Sequence, residues 1–101
     1  MKKIISYLGF ARKSNNMITG QTPLKHCSKQ LYLIMVCNTA SDNLKNMAKN
    51  LAIKHKCNYV VTQTQLSILI NMEDIKIIGL TDINLSEAII KELNNKENSI
   101  G

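Results

Sequence analysis

Residues Leu31 to Cys37 read LYLIMVC, and this run decides the fold. It is apolar throughout and rich in strand-forming residues, without the apolar and polar alternation of a strand that faces water on one side. A strand with this pattern is buried on both faces. The run therefore predicts a sheet that lies between two layers of helices.

Helical and strand patterns alternate on both sides of this run. Apolar residues at three- and four-residue intervals predict five helices, at about 2–14, 22–30, 41–56, 64–72 and 84–95. Short apolar runs predict three further strands, at 17–19, 58–62 and 75–81. This alternation favours mostly parallel pairing. We expect one α/β domain over residues 1–96, a three-layer α/β/α sandwich on a small mixed sheet of about four strands, with a frayed tail at 97–101.

The composition of the 101-residue chain indicates a globular protein with a single core. A chain of 101 residues is long enough for one core but not for two, and a hydrophobic fraction of 45% indicates a globular and not a disordered chain. No apolar run approaches the ~18 residues of a membrane span, and the N-terminus lacks the apolar segment and cleavage site of a signal peptide. We therefore expect a cytoplasmic protein, with Cys27, Cys37 and Cys57 as reduced, mostly buried thiols.

Charge is distributed unevenly along the chain. Residues 1–56 contain ten Lys or Arg and one acid, whereas residues 57–101 contain three Lys and six acids, so the formal charges are +9 and −3. A concentrated positive field attracts polyanions more strongly than the same charge scattered over a surface. The distribution indicates a nucleic acid as partner, ahead of a membrane surface, an acidic protein or a basic surface that serves only solubility.

The segment 17–29, MITGQTPLKHCSK, ends a short strand at Gly20 and restarts as a helix. Glycine can adopt the positive φ of a tight reversal, Thr22 is a suitable N-cap, and Pro23 fits the first helical position. The unpaired N–H groups of a helix start favour an anion. Three basic side chains follow on the first turns: Lys25, His26 and Lys29. We interpret the segment as a contact for RNA phosphates, with an ordinary capped surface helix as the alternative.

Three predicted loops each follow a predicted strand: the Gly20 turn, the loop at Asn38 and the loop after Thr62. Sites in α/β folds gather on the loops at one end of the sheet. We therefore expect these loops to lie together, although they are distant in the sequence.

Several runs of the sequence resemble one known family. Residues 8–20, LGFARKSNNMITG, are similar to a family pattern of a helix end, two basic residues, a turn and an apolar pair before Thr-Gly. Residues 66–71, followed by 75–82, are similar to a second motif, a helix start and then an apolar strand that ends in Thr-Asp. In order and spacing, over nearly the whole chain, these runs resemble the kink-turn RNA-binding ribosomal proteins of the L-seven-Ae and L-thirty-e type, in particular their small bacterial YlxQ-like branch.

The resemblance implies an α/β/α sandwich that grips RNA with the helix opening at Gly20 and with the loop before residue 66. The first family motif reads roughly Gly-x-Asn-Glu-x-x-Lys and contacts the non-Watson–Crick pairs of a kinked RNA helix. Here Gly20 matches the glycine, Thr22 the Asn and Pro23 the Glu. Either His26 or, with a one-residue gap, Lys25 takes the lysine position.

The second family motif differs here at three positions. Ser67 and Asn71 stand where the family has glycines, and Leu69 stands where it has an alanine. Glycine at such positions permits close approach of backbone to RNA, and serine is small enough to retain part of that. We therefore expect weaker or altered RNA choice within the same architecture.

These observations predict non-catalytic binding of structured RNA by a ribosome-associated, ribosomal-protein-like factor. Four basic residues are expected to position phosphates: Arg12, Lys13, Lys25 and Lys29. Three residues of the first motif are expected to shape the contact with paired or bulged bases: Gly20, Thr22 and His26. Gln21, between them, is also an expected RNA-binding residue. Leu66 is expected to wedge against splayed nucleotides, with Ser67 beside it.

The residue types offer little for other chemistry. The sequence contains neither a Walker-type phosphate loop nor a GxGxxG motif. His26 and Cys27 are neighbours that would point apart on a helix, and the histidine and cysteine spacings match no common zinc site. We therefore expect no catalysis, no cofactor, no metal and no membrane partner, and a monomer that binds structured RNA such as ribosomal RNA on the ribosome. The alternative is a protein adaptor that docks on the ribosome or an RNA enzyme without touching RNA.

Overall fold

Helices and strands alternate along the chain, as the sequence predicts. The computed structural model describes residues 2–98. The helices are α1 (Lys2–Lys13), α2 (Gln21–Lys25), α3 (Asp42–His55), α4 (Leu66–Ile70) and α5 (Ile83–Asn98). The strands are β1 (Met17–Thr19), β2 (Leu33–Cys37), β3 (Asn58–Thr62) and β4 (Ile77–Leu80). Most of the expected frayed tail, 97–101, lies outside the described residues, and none of the described helices is both long and apolar enough to cross a membrane.

The four strands form one mixed sheet in the order β1-β4-β2-β3. β2 and β3 pair in parallel, whereas β4 runs antiparallel to both of its neighbours, β1 and β2. The expected small mixed sheet is confirmed, but the expectation of mostly parallel pairing is wrong. The cause is the length of α4, since one turn and a half of helix does not carry the chain back along the sheet. β4 therefore begins at the end where β3 finishes.

β1, β2 and β3 all finish at this same end of the sheet, here termed the carboxyl end; the opposite end is the amino end. Gly20, Asn38 and Gln63 follow the three strands there, and Lys76 precedes β4. The side-chain amide of Asn38 donates to the Gln63 carbonyl over 3.3 Å and joins two of the loops. The expectation that the three loops lie together is confirmed.

Helices cover both faces of the sheet. α1, α4 and α5 pack on one face through a set of buried apolar residues: Ile4, Leu8, Ala11, Leu66, Leu69, Ile70 and Ile89. α2 and α3 pack on the other face through a second set: Leu24, Ala48, Leu51 and Ala52. β2 is buried at all five positions and supplies both cores alternately, as the run LYLIMVC predicts. The molecule is an α/β/α sandwich.

Gly79 in β4 leaves space for two leucines, Leu24 of α2 and Leu31 of the loop that follows it. A Cβ atom at this position would lie 2.6 Å from Leu24 Cδ2 and 3.0 Å from Leu31 Cδ2. In a continuous helix, positions 24 and 31 would be about 10 Å apart along the axis. Here both side chains meet one glycine, so the chain leaves the helix between them. α2 ends at Lys25, and the expectation of a helix to about Gln30 is wrong.

Candidate nucleic-acid interface

Gly20 makes the turn from β1 into α2. Its φ is 94° and its ψ is 159°, a backbone conformation that is essentially restricted to glycine. Its N–H donates to the Ile77 carbonyl over 3.0 Å, and its carbonyl accepts the first helical bond from the Leu24 N–H over 3.4 Å. The positive φ expected for Gly20 is confirmed.

The cap of α2 differs from the sequence prediction. Gly20 is itself the N-cap, and no side chain caps this helix. Thr22 and Pro23 stand at the second and third helical positions, so the expectation of a Thr22 cap with Pro23 in the first position is wrong. The cause is the bond from Gly20 to Ile77, which extends β1 to the residue where the helix begins. Pro23 still lies in the first turn, where its missing N–H leaves no helical bond unmade.

The basic residues of this segment lie along a line and do not cluster at a helix start. Lys25 is the last residue of α2 and His26 follows it, and both are exposed. Lys29 lies beyond the helix, so its expected place on the first helical turns is wrong. Two residues later, the Leu31 N–H donates to His55 Nδ1 over 3.2 Å, at the end of α3. The line therefore runs from the carboxyl end toward the amino end of the sheet.

α4 lies beside the carboxyl end and presents a different apolar residue from the one expected. Leu66 is fully buried, so its expected role as a wedge against nucleotides is wrong. Leu66, Leu69 and Ile70 form the inner face of α4, because residues three and four apart share one side of a helix. Ile68 is 66% exposed, and Ser67 beside it is half-buried. The spacing of Leu66, Leu69 and Ile70 is visible in the sequence, and it would have identified Ile68 as the exposed apolar residue of this helix.

Asn71 keeps a glycine-like backbone conformation. It forms the C-cap of α4 with φ 55° and ψ 47°, in the left-handed region. Asparagine tolerates this region better than most residues do, because its short side chain can bond locally. The turn therefore has a backbone conformation that glycine also adopts readily.

Arg12 and Lys13 end α1, across the sheet from α2. The Arg12 guanidinium donates to the Ile70 carbonyl, which has no helical partner at the end of α4. Lys13 is exposed near the amino end, where the next turn bonds to the residue after β4 through Asn16 and Thr81. The structure therefore does not bring these two residues together with the basic residues of the α2 segment.

Positive charge is concentrated in one helix layer. Residues 20–57, which include α2 and α3, contain six lysines and one acid: Lys25, Lys29, Lys45, Lys49, Lys54, Lys56 and Asp42. The rest of the chain contains seven basic residues and six acids, so its charges nearly balance. The charge separation along the sequence thus becomes a separation across the sheet, with the α2–α3 layer as the basic side.

The carboxyl end itself is polar and mixed in charge. Its loops and the first residue of α2 expose four side-chain amides: Gln21, Asn38, Gln63 and Gln65. Lys76 lies in the same loop as the acids Glu73 and Asp74, and a third acid, Asp42, is the first residue of α3. The carboxyl end, where Gly20 lies, is therefore not itself a cluster of positive charge. The basic α2–α3 layer and the amide-rich carboxyl end are two adjoining surfaces that meet at α2.

The three cysteines are free thiols in different surroundings. Cys37, at the end of β2, is buried, with its Sγ 3.0 Å from the Thr39 hydroxyl. Burial by itself raises the pKa of Cys37, but hydrogen bonds from Thr39 and Leu66 and the charge of Lys76 outweigh it and lower that pKa. Cys27 and Cys57 are half-exposed, so the expectation of mostly buried thiols holds only for Cys37. Within the described residues, no three His, Cys, Asp or Glu side chains are placed to hold a metal ion.

Comparison with known proteins gives a likeness in fold. No protein-family model and no curated protein matches the sequence. Among solved structures, a protein of unknown function from Bacillus halodurans C matches with a TM-score of 0.74 and 18% sequence identity, over 90% of this chain and 96% of that chain. At this identity the likeness shows a shared fold alone.

Proposed function

We propose that this protein binds structured RNA without catalysing a reaction, as a ribosome-associated, ribosomal-protein-like factor. The observation that carries the proposal is the α2–α3 layer, where six lysines accompany a single acid. Lysines on one face neutralise phosphates, and such contacts supply much of the affinity of proteins for nucleic acids. The resemblance to kink-turn proteins favours RNA over DNA as the partner.

The RNA would contact two adjoining surfaces. The phosphates of one RNA strand lie along Lys25 and Lys29 and then along the lysines of α3. The exposed amides of the carboxyl end contact unpaired or bulged bases. An amide side chain can both donate to and accept from a base edge, so it supports recognition as well as affinity. A regular A-form duplex does not offer those edges, because its major groove is too narrow. Thr22 and His26 are exposed, on α2 and at its end, and add a hydroxyl and an imidazole.

α4 would contribute an apolar contact to the same RNA. Ile68 is exposed on the helix that follows the Gln63 loop, and an unstacked base offers an apolar face to such a side chain. The half-buried Ser67 keeps the neighbouring position small. In this proposal Ile68 takes the role that the sequence suggested for Leu66.

The proposal is tested with two RNAs of equal length, a hairpin that contains a kink-turn bulge and an uninterrupted duplex. We expect saturable binding that favours the bulged RNA. If about four to six phosphates are neutralised, log affinity should fall with log salt with a slope of about −3 to −5. The absence of saturable RNA binding at moderate salt would contradict the proposal and favour the protein adaptor.

A pair of double variants locates the surface. Lys25→Ala with Lys29→Ala should weaken binding to all RNAs and reduce the salt slope by about 1.4 to 1.8, since two phosphate contacts are lost. Lys3→Ala with Lys91→Ala is the matched control, because it removes two exposed charges from helices on the other side of the sheet. Equal losses in the two double variants would mean that only the overall charge matters.

A further inference from the structure

We propose that two copies of this chain pair antiparallel through β3, edge to edge, and form one continuous sheet of eight strands. The proposal is independent of RNA binding. β3 lies at the edge of the sheet, and in the part of the chain that the structure describes its outer side pairs with no other strand.

β3 lacks the features by which sheet edges usually avoid pairing. Its five residues pair with β2 in unbroken register, from Asn58 opposite Leu33 to Thr62 opposite Cys37, so no bulge turns the edge away. The strand reads NYVVT and contains neither a charged residue nor a proline. Natural sheets protect edges with such residues, with bulges or with very short strands. The other edge strand, β1, is only three residues long, whereas β3 offers a full-length template.

The backbone groups that point outward belong to Tyr59 and Val61. Along a strand, the N–H and C=O groups of successive residues point to alternate sides. The Thr62 carbonyl accepts from the Asn38 N–H over 3.1 Å, so positions 58, 60 and 62 are directed toward β2. Tyr59 and Val61 therefore direct two N–H and two C=O groups away from the sheet.

A two-fold axis at Val60 pairs all of these outward groups. In that register Tyr59 of one copy lies opposite Val61 of the other, and each such pair exchanges two hydrogen bonds, as antiparallel strands require. The two pairs give four bonds between the copies. Val60 then faces its own counterpart in a non-hydrogen-bonded pair, where the side chains are closest.

The side chains of β3 are self-complementary in the same register. Tyr59 and Val61 are 40% and 39% exposed and would form two Tyr–Val pairs across the interface, a combination that stabilises sheets. On the opposite face, Val60 meets Val60 and Asn58 meets Thr62. Apolar residues thus meet apolar residues, and polar residues meet polar ones, at every position.

Charge weakens this pairing, because the basic α2–α3 layers of the two copies lie on the same face, but space allows it. The net charge of +6 repels two copies in general, but Lys56, just before β3, would lie across from the neutral Thr64 of the second copy. On the α5 side, β3 borders a groove of about 590 Å³ lined by Val60, Ile90 and Leu93 among others, so the helices leave the strand accessible. Five residues on each side make a small interface, so we expect a weak dimer that forms as the concentration rises. The monomer expected from the sequence is then the form present in dilute solution.

Sedimentation across a concentration series tests the pairing. The mean mass of the parent chain should rise toward that of a dimer, whereas Val61→Pro should remain monomeric. That variant removes an outward N–H and no bond within the sheet, and proline is tolerated in edge strands. Ile53→Ser is the control, because Ile53 is an exposed apolar residue of α3, 67% exposed, that lies outside the strand. A parent chain that is monomeric at every concentration, or a Val61→Pro variant that dimerises equally, would overturn the proposal.

Cysteine cross-linking tests the register without a backbone change. Val60→Cys should form a disulfide between copies under mild oxidation, identified by mass spectrometry of the joined peptides, because Cβ atoms in such a pair are about 4.5–5.5 Å apart. Asn58→Cys should not form this disulfide. Position 58 lies two residues from the axis in each copy, so the two cysteines are four residues apart along the strands, or about 14 Å. Equal cross-linking of both variants would overturn the register. Protection of the Tyr59 and Val61 amides by an added extended peptide, in a chain that stays monomeric, would assign the edge to peptides instead.

Discussion

At Gly20, one backbone conformation sets the cost of substitution. A Cβ atom there would meet only Pro23 Cδ, at 3.7 Å, so crowding is not the penalty. The penalty comes instead from the φ of 94°, which residues other than glycine rarely adopt. We expect Gly20→Ala to lower the free energy of unfolding by about 1–3 kcal/mol. Gly9→Ala is the control, because nothing lies within 4 Å of a Cβ in that helix and alanine should gain about 0.5–1 kcal/mol there. Urea unfolding measures both, and a Gly20→Ala variant as stable as the parent would contradict the assigned conformation.

At His55, protonation is coupled to the loop that carries Lys29. His55 Nδ1 accepts the Leu31 N–H, which requires an unprotonated Nδ1. Burial, and then the nearby charge of Lys54, lowers the pKa of His55 below its ordinary value of 6.5. The unfolded chain therefore takes up this proton at a higher pH than the folded chain does. Stability from this residue is present above pH 6.5 and falls as the pH drops from there through the lowered pKa.

Thermal unfolding from neutral pH to about pH 5 measures this dependence. His55→Asn keeps an acceptor near the position of Nδ1 but cannot titrate, so its melting temperature should fall less with acid than that of the parent. His26→Asn, at the other histidine, which is exposed, is the control for the substitution itself. Equal slopes for His55→Asn and the parent would remove His55 as the cause.

At the scale of elements, the position of α2 depends on Gly79. We expect Gly79→Ala to cost about 1–3 kcal/mol, because the added methyl overlaps Leu24 Cδ2 in a packed core. Leu24→Val shortens that side chain and should recover part of the loss in the double variant, although it is destabilising alone. A double-variant cycle measured by urea unfolding gives this coupling, and simple additivity would mean that the two residues do not compete for space.

The sequence predicted best the elements that are long enough to repeat their apolar spacing several times. α3 lies within one residue of its predicted range at each end, since five apolar residues recur on one side of it, all buried or half-buried, and Ser41 caps it through the Leu44 N–H. α2 and α4 were predicted too long, because each contains only five residues and their ends depend on contacts from elsewhere. Gly79, 48 residues after Leu31, is such a contact, and no local pattern reveals it.

At the scale of the whole molecule, the proposed RNA binding predicts that bound RNA protects the basic side of the sandwich. When bulged RNA is bound, chemical acetylation of lysines on α2 and α3 should decrease, with Lys25 and Lys49 as probes, because phosphates cover them. Lys91 on α5 should react as it does without RNA. Mass spectrometry after brief acetylation measures both. Protection of Lys91 alone would place the RNA on the opposite side of the sheet.

The sequence revealed the charge asymmetry but not its direction in space. Residues 1–56 are basic as a run, yet α1 packs in the same layer as α5, across the sheet from α2 and α3. The face of the sheet that a helix covers depends on the order of the strands in the sheet. Here β4 lies between β1 and β2. Local periodicity fixes neither of these. The same limit applies to the candidate site. The order of the strands along the chain predicted that its loops lie together, but the positions of Arg12, Lys29 and Leu66 depend on helix packing, which local patterns do not reveal.

The position of β4 also affects how the protein is made. Met17 in β1 pairs with Leu80 in β4, 63 positions later, so the first strand emerges well before its partner has been synthesised. At about 5–20 residues per second this delay lasts roughly 3–13 seconds. Throughout it, the apolar side of α1 has no completed sheet to cover it. A chain whose translation stalls before residue 77 lacks the strand that joins β1 to β2, and it cannot assemble this sandwich.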